Sequence, residues 1–167
     1  MSTLADVFRV LNELRSERVV EQYAIGGAMA VLFYAEPART YDVDVFIALR
    51  GAGDGLLDLS ALYGWLRSRG FTPDAEHVLI HDVPVQFLPT YNRLVEEAVS
   101  EARELDYDGT PVRVVSPEHL VALALQAGGS RRRERAAQLL EVGAVDRAAL
   151  RAILGRHGLQ AGGLLDE

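Results

Sequence analysis

The chain has 167 residues, 49% hydrophobic and 25% charged, with a net charge of −7 and no cysteine. This length and composition suit one ordered domain with a small helical tail, and they exclude a disordered chain. Disulfides, thiolate metal sites and cysteine nucleophiles are excluded too, and an acidic protein binds a polyanion only through a local basic patch.

Leu4, Val7, Phe8, Leu11 and Leu14 recur at helical spacing and predict an amphipathic helix from residue 3 to about 17. Tyr23-Ala24-Ile25 is a short apolar strand ending in Gly26-Gly27. Ala28 to Tyr34 reads as a compact buried helix, and Pro37 ends it. Thr40 to Leu49 alternates Asp42 and Asp44 against Val43 and Val45, a period-two pattern that predicts a strand. Gly51 to Gly55 is a loop, and Leu59, Leu62, Tyr63 and Leu66 form a helical stripe closed by Gly70. Val78 to Ile80 and Val83 to Leu88 read as strands joined by a turn at His81-Asp82. Leu94, Val95, Ala98, Val99, Ala102 and Leu105 predict the next helix. Asp108-Gly109 is a hairpin turn before the strand Pro111 to Val115. Ser116-Pro117 is an N-cap followed by a proline in the first turn. Helices over about 117–127, 131–142 and 146–156 complete the chain, with the last ten residues frayed.

Asp42 and Asp44, two apart on a strand, place two carboxylates on one face about 7 Å apart. That spacing lets both reach one hard cation or two adjacent ones, an arrangement suited to Mg²⁺ and phosphate chemistry. Glycines opening a helix let backbone N–H groups approach a phosphate, so Gly26 and Gly27 supply the complementary half. Separately, Asp-x-Asp is common on exposed strands and Gly-Gly is usually a turn. Their order and the intervening helix make the joint case.

These residues resemble the signature of the minimal nucleotidyltransferases, including the toxin-like group related to abortive-infection systems. That superfamily also holds the aminoglycoside and lincosamide nucleotidyltransferases. The resemblance extends through Val83-Pro84-Val85-Gln86-Phe87-Leu88-Pro89, Glu96-Glu97-Ala98, Asp106-Tyr107-Asp108-Gly109, Ser116 to Ala122 and the arginine-rich stretch Gly128 to Arg135, covering about residues 20–140. It implies an α/β (α+β) fold, a mixed sheet flanked by helices. On that reading residues 1–116 form the core, and residues 117–167 form a helical part packed on it as one unit. It also implies that Gly26 and Gly27 contact a nucleoside triphosphate, that Asp42 and Asp44 hold Mg²⁺, and that a later strand supplies a third acid.

That strand reads Val85-Gln86-Phe87, with Gln86 where the acid is expected. An amide offers one carbonyl oxygen to a metal and cannot act as a base. Asp82 sits on the turn and Glu76 lies further off, so neither is a ready substitute.

Arg131, Arg132, Arg133 and Arg135 open a helix. Arg131 and Arg135 share a face at i, i+4, and Arg132 and Arg135 at i, i+3. Arginine forks suit phosphates; the plainer reading is a solvated face paired with Glu134 and Glu141. Cations at a helix start oppose the macrodipole, which argues for a purpose. The resemblance carries over only in part here, since related sequences tend to have a lysine and an acid at the positions of Arg131 and Arg132. Arg39 has two candidate roles, a phosphate ligand or an ion-pair partner of Glu36 or Asp54. His77, His81, His119 and His157 show no metal-ligand spacing, and His119 reads as a core-edge or capping residue. Trp65 reads as core, and Tyr91 and Tyr107 read as packing residues with base stacking as the alternative.

All 17 basic residues are arginine, so lysine chemistry is excluded. No apolar run approaches the roughly 20 residues that span a bilayer. The N-terminus lacks a secretion-signal layout, and a cytoplasmic location without membrane partners is expected. The expected function is Mg²⁺-dependent transfer of a nucleotidyl group from a nucleoside triphosphate to a hydroxyl on an RNA end such as tRNA, a protein or a small molecule. The alternative is a catalytically inactive binding or regulatory module, with a cognate antitoxin protein as partner.

Overall fold

The computed structural model describes residues 3–35, 42–49 and 59–165. Pro37, expected to end a helix, Arg39, the start of the Asp strand and the Gly51–Gly55 loop lie outside those residues.

Helix α1 (Thr3–Ser16) buries Val7, Phe8, Leu11 and Leu14 of the expected stripe and Val10 besides, while Leu4 is only partly buried. The chain enters β1 (Gln22–Gly26) and turns at Gly27 into α2 (Gly27–Val31). The helix expected to reach Tyr34 is α-helical only to Val31. Beyond it Leu32, Phe33 and Tyr34 donate to carbonyls three residues back, a tighter winding. Strand β2 (Val43–Ala48) begins just after Asp42, and α3 (Ser60–Ser68) ends near Gly70, whose φ is +84°. Trp65 on α3 is packed at the core edge rather than inside: its Nε1 donates to Glu17 at 3.2 Å, and Arg69 lies 4.3 Å over the ring.

Strands β3 (Thr72–Asp74), β4 (His77–Ile80) and β5 (Val83–Pro89) follow. The turn between β4 and β5 is at His81 and Asp82, both with positive φ. The short exposed strand β3 is an addition to the sequence reading. Helix α4 (Arg93–Ser100) is capped by Asn92, whose side chain accepts from the Val95 N–H at 2.9 Å. Ala102 and Leu105, expected in this helix, lie outside it. Leu105 belongs to β6 (Arg103–Tyr107), which pairs with β7 (Thr110–Val114) across the Asp108-Gly109 turn. Both turn residues have positive φ, the geometry of a tight hairpin. Pairing with β7 wins over a helical periodicity that continues by coincidence for two residues.

Helices α5 (Pro117–Ala127), α6 (Ser130–Glu141) and α7 (Arg147–Arg156) close the fold within a residue of expectation. Ser116 caps α5 by accepting from the His119 N–H at 3.1 Å. Glu118 is buried; its carboxylate accepts from Arg103 at 3.0 Å and from the Asp146 N–H at 3.1 Å, so α5 is tied to β6 and to the start of α7. The chain after α7 does not fray as expected: Leu165 is buried in the core, and Arg133 donates to the Gly162 carbonyl.

The seven described strands form one mixed sheet in the order β3-β4-β5-β2-β1-β7-β6. The β2–β5 and β1–β7 pairs are parallel and the other four antiparallel. Along β2, Val43, Val45 and Ile47 are fully buried on one face. Val85 and Phe87 of β5 continue that layer. Asp44, Phe46, Gln86 and Leu88 alternate to the other face. The architecture is a mixed α/β fold with helices packed on its sheet.

Candidate functional site

Strand register builds the site. Gly26 on β1 is opposite Asp44 on β2, and Asp44 is opposite Gln86 on β5. These three residues form a row across three adjacent strands. Asp44 and Gln86, with Phe46 and Leu88, floor a cleft of about 370 Å³. Leu120, Leu123 and Ala124 of α5 and Arg132, Arg135, Ala136 and Leu139 of α6 form the opposite wall. The volume is within the range of small-molecule sites.

Burial, and then the neighbouring charge of Asp42, hold the Asp44 carboxyl above its ordinary range; His77, Arg135 and Arg132 oppose this. A partly buried carboxylate beside a second carboxylate is a place where a cation is favourable. Asp42, Asp44 and Gln86 offer oxygen donors, the type that a hard cation such as Mg²⁺ would take. Asp42 precedes β2 and is exposed, and its Oδ2 lies 3.7 Å from His77 Nε2. Glu76 Oε1 lies 3.7 Å from the other ring nitrogen of His77. His77 was not singled out by the sequence, yet the register could have found it. One step beyond the Val78–Val85 pair, it stands at the level of Gln86.

Gly27 is glycine for a local reason. Its φ is +59°, and a Cβ there would lie 2.5 Å from Asp44 Oδ2. Gly26 is similarly confined, since a Cβ would lie 2.4 Å from the Phe46 ring. Gly27→Ala combines left-handed strain with a clash against the carboxylate. It is expected to cost at least about 1 kcal/mol in denaturant unfolding and to displace Asp44. An unchanged unfolding midpoint would show that Asp44 swings aside freely.

The arginines divide by helix face. Arg132, Arg135, Ala136 and Leu139 form the cleft-facing stripe of α6, at i, i+3, i+4 and i+7. Arg131 does not line the cleft, and Arg133 turns to Gly162. The pair at the site is thus Arg132 and Arg135, not the Arg131 and Arg135 face. Arg39 lies outside the described residues. Tyr91 is 62% exposed at the cleft edge, its ring 6.5 Å from that of Phe46. Tyr107 packs edge-on against Phe8 at 5.1 Å, far from a stacking role.

No family model and no curated protein matches the chain. Solved structures do match. An antigenic nucleotidyltransferase-like protein from Paracoccidioides brasiliensis is 18% identical with a TM-score of 0.58, over 93% of this chain and 87% of that one. The solution structure of the antibiotic-resistance factor ANT(2'')-Ia is 15% identical with a TM-score of 0.53, over 93% and 91%. The crystal structure of ANT(2'')-Ia in complex with adenylyl-2''-tobramycin is 16% identical with a TM-score of 0.51, over 93% and 99%. Identities this low establish shared architecture alone, over nearly the whole of each chain. The chain has the nucleotidyltransferase-like fold.

Proposed function

We propose that this protein binds a nucleoside triphosphate in the cleft between β2, β5 and α6 and transfers its nucleotidyl group to a hydroxyl acceptor. The observation that carries this reading is the row Gly26–Asp44–Gln86 facing Arg132 and Arg135 across one cleft. Asp42 and Asp44 would hold Mg²⁺, which when bound neutralises phosphate charge and orients the pyrophosphate leaving group. Arg132 and Arg135 present forks to the phosphates, and the apolar wall of α5 excludes water around them. The Gly26-Gly27 junction lets the backbone approach without a side chain in the way. The acceptor hydroxyl oxygen attacks the α-phosphorus, the bond to the α–β bridging oxygen breaks, pyrophosphate leaves with that electron pair, and the hydroxyl proton passes to solvent or to the departing pyrophosphate. Catalysis on this reading comes mainly from positioning and charge neutralisation.

A small-molecule acceptor suits the site better than RNA. The cleft is of small-molecule size, and a protein of net charge −7 repels a polyanion except where basic residues cluster. The adenylylated aminoglycoside bound by a protein of the same fold is a precedent for such an acceptor.

A second reading is favoured by one observation: Gln86, not an acid, stands opposite Asp44. It makes the protein a nucleotide-binding module without turnover, with a role in a toxin–antitoxin pair as its setting. Incubation with each labelled nucleoside triphosphate, Mg²⁺ and panels of aminoglycosides and RNA separates the two. Labelled product that disappears in Asp42→Ala is expected. Nucleotide binding without product, and product on Gln86→Asp alone, would establish the inactive module. No metal-dependent nucleotide binding at all would remove both readings. With turnover present, Gln86→Asp is expected to tighten Mg²⁺ binding, because it adds a charge to the donor set.

A further inference from the structure

Away from the cleft, four titratable side chains converge where α4, α5 and the end of α7 meet. Glu97 lies on α4, Glu101 just after it, His119 on α5 and His157 just after α7. His119 Nε2 lies 2.7 Å from Glu97 Oε2 and 3.6 Å from Glu101 Oε2. His157 Nε2 lies 3.3 Å from the same Glu97 oxygen, yet it is buried without a hydrogen bond. Donor atoms of Glu97, Glu101 and His119 all fall within 4.8 Å of one another.

We propose that Glu97, Glu101, His119 and His157 form a binding site for Zn²⁺ or a similar borderline transition metal, separate from the nucleotide cleft. Donors on a tetrahedral ion with bonds of about 2.1 Å lie roughly 3.4 Å apart. Separations of 2.7, 3.3 and 3.6 Å bracket that spacing; Glu97, Glu101 and His119 form the compact set, and His157 joins it through Glu97. Two imidazoles and two carboxylates select such a metal over Mg²⁺, which favours oxygen donors alone. The surroundings are those of a supported site. Ser116 Oγ lies 2.8 Å from His119 Nδ1 and fixes the ring, leaving Nε2 to face the ion. Arg156 donates to both Glu97 oxygens at 3.1 Å and orients that carboxylate. The two carboxylates outnumber this one cation. The buried nitrogen of His157, which faces Glu97 Oε2 at 3.3 Å without hydrogen-bond geometry, is an atom that an ion would satisfy. Bound there, the ion clips the chain end of α7 to α4 and α5.

The test is isothermal titration of Zn²⁺ and of Mg²⁺ into chelator-stripped full-length protein, with melting followed in parallel. The expected result is one Zn²⁺ per chain, a rise in melting temperature with Zn²⁺, and neither effect at this site with Mg²⁺. Glu101→Gln changes an exposed side chain and leaves the fold intact; it is expected to weaken Zn²⁺ binding at least 10-fold, and His157→Gln likewise. The Asp42→Ala/Asp44→Ala variant is expected to retain the Zn²⁺ site. Absence of stoichiometric Zn²⁺ binding would overturn the proposal. So would binding that survives Glu101→Gln and His157→Gln but is lost in Asp42→Ala/Asp44→Ala.

Discussion

Asp44→Asn is expected to lower nucleotidyl transfer by about 10³-fold and to raise thermal stability at the same time. The two effects have one origin. Burial, reinforced by Asp42, holds the Asp44 carboxyl above its ordinary range. A carboxyl raised on folding costs stability wherever it is ionised, so a neutral isostere relieves that cost at neutral pH. The relief disappears as pH falls below about 4, where the unfolded chain is protonated as well. Solvent screening at this partly exposed position leaves the gain at a fraction of a kcal/mol. Loss of activity follows because the variant keeps the shape of the site and removes the charge that a cation needs. Transfer rates and melting curves at pH 7 and pH 4 check both halves. Loss of activity with a fall in stability would make Asp44 a structural residue. Unchanged transfer would remove it from the chemistry.

Glu97→Gln, measured in chelator, is expected to lower stability more than Asp42→Ala or Glu101→Gln does. Burial alone would raise the Glu97 carboxyl, but hydrogen bonds from Arg156 and His119, with His157 beside them, bring it down to about 2 from an ordinary 4.5. Solvent screening at this partly exposed cluster leaves the contribution of ionised Glu97 on the order of 1–2 kcal/mol. Because the shift is downward, that contribution is present above about pH 4.5 and is lost as pH falls toward 2. The variant should therefore melt about 2–8 °C lower at pH 7. The two melting curves should converge as the solution is acidified through that window. A constant difference across the window would mean that packing, not charge, holds Glu97.

The sequence reading was strongest where chemistry and local pattern coincide. The alternation from Val43 to Ile47 determined a strand, its buried face and the face that carries Asp44, whereas Asp42 lies just before that strand. Ser116-Pro117 announced a helix start that the structure has. Strand β6 was hidden because Ala102 and Leu105 extend the helical spacing of α4, and only pairing with β7 reveals the break. The arginine pair was ambiguous for a related reason. Spacing places Arg132 and Arg135 on one face and Arg131 and Arg135 on another, and packing of Ala136 and Leu139 chooses between them. His77 joined Asp42 through strand register, which no linear spacing displays. The gathering of Glu97, Glu101, His119 and His157 depends on three helices meeting, so a search for ligand spacing along the chain passes over it.

The two walls of the cleft have different places in the order of synthesis. Gly27, Asp44 and Gln86 leave the ribosome early, whereas Leu123, Arg132 and Leu139 come late. A nascent chain that stops before α6 has its carboxylates facing only the α5 part of the wall, with neither Arg132 nor Arg135 opposite them. The cleft is therefore complete only once α6 has been made.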